Sequence, residues 1–157
     1  MRSLKTIMFI FIASMLSSHA QAENFKKEPT VTHASQVKWM PMVPELGDKG
    51  PQMAVVFGDL AAKGKPIGVL VKIPAGTVAT PHTHSSDYWS VVIKGQESNF
   101  DGDVSNAKPL PAGSWWYQPG KDPHDNKCFE GEDCILFTYY EKGMDISFLN
   151  SQVKTKK

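Results

Sequence analysis

An all-β domain, either a sandwich or a small barrel, is the fold class that this sequence predicts, and three observations predict it. Short apolar runs rich in Val, Ile, Phe, Tyr and Trp recur along the chain. Gly and Pro sit at the ends of these runs, where strands give way to turns. No apolar pattern with a 3.6-residue period is sustained over the length of an amphipathic helix.

The elements follow in order. Residues 1–22 begin with Arg2 and Lys5, continue through the apolar run 7–15 and end on Ala20-Gln21-Ala22. A positive start, a short apolar core and small residues at the end describe a secretory signal peptide. Removing it would leave 135 of the 157 residues, change the formal charge from +1 to −1 and leave four of the five His. Residues 23–38 are polar and read as an arm. Residues 39–44 are apolar but contain Pro41 and Pro44, which suits an extended edge segment. Five strand-like runs come next, at 53–57, 67–73, 88–93, 114–118 and 134–140, each closed by Gly, Pro or a charged turn. The barrel is expected over 39–150, followed by a polar tail at 151–157.

The chain is long enough for one domain and too short for a doubly wound enzyme. The 17 basic residues nearly balance the 16 acidic ones, so no electrostatic footprint for nucleic acid is present. After signal cleavage no run of bilayer length remains. The expected product is an exported soluble domain, periplasmic or secreted, whose partner is a small molecule.

His82 and His84 alternate, so on a strand they share a face. His124 follows 40 residues later, between Pro119-Gly120 and Asn126. Neutral imidazoles from neighbouring strands can converge on one divalent metal. The spacing alone also fits two surface histidines beside a turn.

The wider pattern resembles the cupins. Their first motif, G-x5-H-x-H-x3,4-E-x6-G, is matched by Gly76, His82, His84 and Gly95. Their second, G-x5-P-x-G-x2-H-x3-N, is matched by Gly113, Pro119 and His124. The stretch from Gly113 to Cys128 is similar to the cupin domain of zinc-binding anti-sigma factors. The resemblance implies a double-stranded β-helix, or jelly-roll, barrel. It also implies a metal site at His82, His84 and His124, for a divalent metal such as Zn or Fe, and a homodimer. Three departures stand out: Tyr88 takes the place of the motif Glu, Lys121 that of a Gly, and Cys128 that of the Asn.

Other residues are weighed by alternation. Trp115 and Tyr117 should share one face and Trp116 and Gln118 the other. Asp87 should face away from the site unless a bulge turns it inward. Tyr88, Tyr117, Tyr140 and Asp87 are the candidate acid–base or binding groups of the cavity, with Tyr88 and Tyr140 foremost; none is a strong base at neutral pH. Cys128 and Cys134 flank a polar hairpin turn. They either form a disulfide, stay reduced, or bring Cys128 near the metal. Two functional classes remain open: a metal-dependent enzyme of dioxygenase or hydrolase/isomerase type, and a non-catalytic ligand-binding or zinc-sensing module.

Overall fold

The computed structural model describes residues 29–149. The signal segment 1–22, the first part of the arm, 23–28, and the tail 151–157 lie outside the described residues. The chain divides into two units, Met1–Thr32 and His33–Lys157. Of the first, only residues 29–32 are described, as exposed irregular chain.

The second unit contains eleven strands among the described residues: β1 (Met40–Pro41), β2 (Gln52–Phe57), β3 (Ile67–Ile73), β4 (Val78–Thr83), β5 (Tyr88–Lys94), β6 (Gln96–Phe100), β7 (Leu110–Pro111), β8 (Trp115–Gln118), β9 (His124–Cys128), β10 (Cys134–Tyr140) and β11 (Ser147–Phe148). Three short 3-10 turns are the only helical elements described. The strands form a six-stranded sheet, β1-β2-β3-β10-β5-β8, and a five-stranded sheet, β11-β4-β9-β6-β7, with antiparallel pairing throughout. This is the double-stranded β-helix that the resemblance implies. No helix among the described residues is long and apolar enough to cross a membrane.

The five apolar runs read from the sequence became β2, β3, β5, β8 and β10, all in the first sheet, and residues 39–44 supply its edge strand β1. In β3 and β10 every second residue turns inward and is buried: Ile67, Val69, Val71 and Ile73 on one, Leu136 and Tyr140 on the other. Burying such a side chain contributes roughly 1.5–3 kcal/mol, so these two strands anchor the core. Val92 of β5 and the Cys128–Cys134 disulfide close it at one end. Gly95 is required between β5 and β6. Its φ is +80°, and a Cβ there would stand 2.9 Å from the Cys134 Cα.

Candidate metal centre

The second sheet supplies the histidines. In β4 and β9, His82 stands directly across from His124, and His84 follows just past the end of β4. All three are buried. Their ring centroids lie 4.4 Å apart for His82 and His124, 5.2 Å for His82 and His84, and 5.3 Å for His84 and His124.

Each ring is held by its Nδ1–H on a backbone carbonyl. His82 donates to Thr80 at 2.8 Å, His124 to Asp122 at 3.0 Å and His84 to Asp145. Such bonds fix the tautomer and leave the Nε2 lone pair free to coordinate. The ligand nitrogens lie within 4.8 Å of one another. Burial lowers the pKa of all three, for His84 to about 4, so the rings are neutral at pH 7. Three neutral, oriented imidazoles fit a divalent metal ion.

Tyr88 occupies the carboxylate position of the motif and points to the same place. Its hydroxyl lies 2.9 Å from His124 Nε2 and donates to it, because His124 Nδ1 is already the donor to Asp122. Trp116 Nε1–H in turn donates to the Tyr88 oxygen at 3.4 Å. Burial raises the Tyr88 pKa, and Tyr140, also buried, is shifted the same way. Both remain neutral phenols, which donate hydrogen bonds and do not serve as bases near neutral pH.

A cavity of about 320 Å³ opens beside the cluster. His82, His84, Tyr88 and Tyr140 line it, together with Ser90, Thr138 and Asn126 and a mainly apolar wall that includes Met42, Leu46, Trp116 and Phe148. His124, hydrogen-bonded to Tyr88, is not among the lining residues. No Lys, Arg, Asp or Glu side chain lines the cavity among the described residues.

Two candidates from the sequence lie elsewhere. Tyr117 is 44% exposed on the outer face of the first sheet, because its parity on β8 is that of Trp115. Asp87 also faces outward, accepting from Tyr117 Oη at 2.7 Å and from Gly120 N at 2.8 Å. These two bonds lower its pKa. Trp116 and Gln118 share a face, as alternation predicts, and that face is the inward one. Cys128 is joined to Cys134 with their Cα atoms 5.8 Å apart, and a disulfide sulfur is not the thiolate that metal ligation requires. The grouping of Glu97 with these two sulfurs is therefore no second metal site while the bond is intact.

Sequence reasoning missed Glu97 and the Asp145 anchor. Glu97, on β6, is fully buried, and neither carboxyl oxygen has a hydrogen-bond partner among the described residues. Burial pushes its pKa up to about 8. Its signal would have been an inward position on β6, and the polar sequence Gln-Glu-Ser-Asn-Phe hides that strand. Asp145 holds the site from the C-terminal side: its carbonyl accepts from His84 and its carboxylate from Ser85 N at 2.7 Å.

No curated protein matches the chain by sequence. Among solved structures, it is similar to an RmlC-like cupin protein from Ralstonia eutropha JMP134 at 19% identity, over 80% of this chain and 74% of that one, with a TM-score of 0.61. It is similar to the polyketide cyclase RemF from Streptomyces resistomycificus at 16% identity, over 79% of this chain and 89% of that one, with a TM-score of 0.61. A third similar structure is KdgF from Halomonas sp., at 20% identity over 72% of this chain and 95% of that one, with a TM-score of 0.55. At these identities the likeness shows the fold alone. The family described as a domain of unknown function, DUF4437, matches residues 30–148. The chain therefore belongs to the DUF4437 family and carries it on a cupin fold.

Proposed function

We propose that this is an exported cupin that holds one zinc or iron ion on His82, His84 and His124 and presents it to a small, largely apolar organic molecule. The observation that carries this reading is the set of three Nδ1–H bonds to carbonyls, which aim three neutral Nε2 atoms into one buried place. Three neutral ligands leave the full +2 charge of the metal unbalanced, and the described residues of the cavity wall add no charge of their own. A ligand with one acidic oxygen and an apolar body matches both features. A bound metal would supply Lewis-acid chemistry or, as iron, dioxygen chemistry. Tyr88 and Tyr140 would orient the ligand by donating hydrogen bonds. Among the described residues the cavity wall carries no carboxylate to act as a general base, which weighs against a hydrolase or isomerase that needs one. Export is supported by the disulfide, a bond of oxidising compartments, and mass spectrometry of the native chain should find its N-terminus at Glu23.

The test is a thermal-shift screen of small carboxylic, enolic and phenolic compounds against apo, zinc-loaded and iron-loaded protein. Stabilisation should depend on metal and vanish in His84→Ala. Ligands that stabilise the apo protein equally would contradict the metal's role. Dioxygen uptake confined to the iron form with such a ligand would mark an oxygenase. Metal-dependent binding without turnover would favour the second reading, a zinc-binding sensor, which the similarity of residues 113–128 to anti-sigma-factor cupin domains supports.

A further inference from the structure

Glu97 is fully buried, and neither of its carboxyl oxygens has a hydrogen-bond partner among the described residues. No other buried side-chain nitrogen or oxygen among them is left in this state. A buried polar group without a partner is costly and calls for a reason. Its surroundings supply one.

Three strands bring Glu97 against two sulfurs. Glu97 on β6 is the direct cross-strand partner of Cys128 on β9. Cys134 opens β10, and its Sγ lies 3.2 Å from the carbonyl oxygen of Gln96, the residue before Glu97. Gly95 makes room for this approach, since a Cβ there would stand 3.0 Å from the Cys134 sulfur. The result is a carboxyl oxygen and two sulfurs, all within 4.8 Å of one another and all from fully buried residues. None of the three residues lines the cavity beside the histidines.

Two thiolates and a carboxylate are zinc donors, with Zn–S of about 2.3 Å and Zn–O of about 2.0–2.2 Å. Both Glu97 oxygens are free of other partners, so the carboxylate can fill two positions and complete a four-coordinate ion. In the disulfide the sulfurs are not thiolates, and burial keeps the carboxyl beside them protonated, with its pKa pushed up to about 8. A shallow groove lined by Gln96, Glu130, Gly131 and Glu132 lies at the 128–134 hairpin. It leads toward both sulfurs: the Glu132 carbonyl oxygen is 3.6 Å from Cys128 Sγ, as Gln96 is beside Cys134.

We infer that Glu97, Cys128 and Cys134 form a second metal site, for zinc, which the disulfide closes and the dithiol opens. Opening takes a two-electron reductant. With a phosphine, the S–S bond breaks, the phosphine takes the oxygen of one water, and that water's two protons go to the sulfurs. Zinc then replaces three protons, one from each thiol and one from the carboxyl. Hydrogen peroxide closes the site. The two thiolates give up two electrons and join, and zinc leaves. The peroxide takes two protons and becomes two waters, and a third proton returns to Glu97. The inference is independent of the histidine reading, because the two sites share no residue.

Zinc content of the full chain in its two redox states tests it. The reduced protein is refolded with zinc under a water-soluble phosphine, so that the buried sulfurs are reached, and mass spectrometry confirms two thiols. After gel filtration, elemental analysis should find one more zinc per chain in the reduced protein than in the oxidised one, whatever the histidines hold. Cobalt in place of zinc should give a near-ultraviolet sulfur-to-cobalt charge-transfer band in the reduced chain alone, a signature that imidazoles do not produce. Glu97→Gln should weaken the additional zinc by about 100-fold or more, beyond the effect of removing only a ligand's hydrogen-bond partner. Its circular dichroism should match wild type, which separates loss of the site from loss of the fold. Hydrogen peroxide should release the additional zinc as the disulfide returns. Equal zinc in a folded reduced chain and the oxidised chain would overturn the inference. So would an additional zinc that Glu97→Gln binds as tightly, or a reduced chain that stays unfolded in zinc.

Discussion

Tyr88 replaces a carboxylate by a phenol, and its hydroxyl competes with a metal for the same lone pair. The Nε2 of His124 either accepts from Tyr88 or binds the ion, and at 2.9 Å it accepts from Tyr88. Tyr88→Phe should therefore tighten zinc binding by about fivefold, since one hydrogen bond of about 1 kcal/mol no longer opposes it. Competition with a chromogenic chelator measures the change. Weaker binding in Tyr88→Phe would mean that the phenol oxygen is itself a ligand. Lys121 is the other informative departure. It stands where the motif has Gly and still adopts the left-handed φ of +66°, while its N–H donates to the His84 carbonyl at 2.6 Å. A side chain in that region costs about 1 kcal/mol or more. Lys121→Gly should stabilise the protein by about 0.5–1 kcal/mol in urea unfolding, and a loss of stability would show that the Lys side chain earns its position.

Individual strands divide by how clearly they read in the sequence. β2, β3, β5, β8 and β10 were legible because their residues are apolar on both faces, one against the core and one on the outer face. β4, β6 and β9 read as polar because their inward positions hold His82, His124, Glu97, Asn99 and Asn126, the residues that build the site and the network around it. Asn99 donates to Gln118 at 2.8 Å, and Gln118 to the Asp122 carboxylate at 3.1 Å, so polar pairing replaces apolar packing on these strands. The three histidines were legible from motif spacing, but their carbonyl anchors were not, because a backbone acceptor leaves no side-chain signature. Two predictions belong at this scale. The Cys128–Cys134 bond closes a short loop, and chain entropy puts its contribution at about 2–3 kcal/mol. The double Ala variant should lose about that much in denaturant unfolding and keep its metal; loss of metal as well would tie the bond to the site. Glu97 on β6 is raised from 4.5 to about 8, so the folded state retains a proton that the unfolded state releases. Its contribution is complete below about pH 4.5 and is lost as the pH rises to about 8. The melting temperature of Glu97→Gln should lack this decline, and parallel pH profiles for variant and wild type would refute the assignment.

Across the whole molecule the two sheets have separate tasks. The six-stranded sheet supplies the apolar core on its inner face. The five-stranded sheet supplies the donors, and strand pairing alone sets His82 against His124. The C-terminal segment completes the arrangement by returning Asp145 to His84 and pairing β11 with β4. The result is a mainly apolar cavity with His82 and His84 in its wall and His124 beside them, in which a metal would be the principal source of charge. Elemental analysis of protein purified without a chelating tag, compared with the His82→Ala, His84→Ala, His124→Ala triple variant, tests this most directly. The account predicts close to one zinc or iron per chain in the wild type and none in a triple variant that still folds and keeps its disulfide. A wild-type protein that stays metal-free after exposure to both ions, or a triple variant that binds as much as wild type, would contradict it.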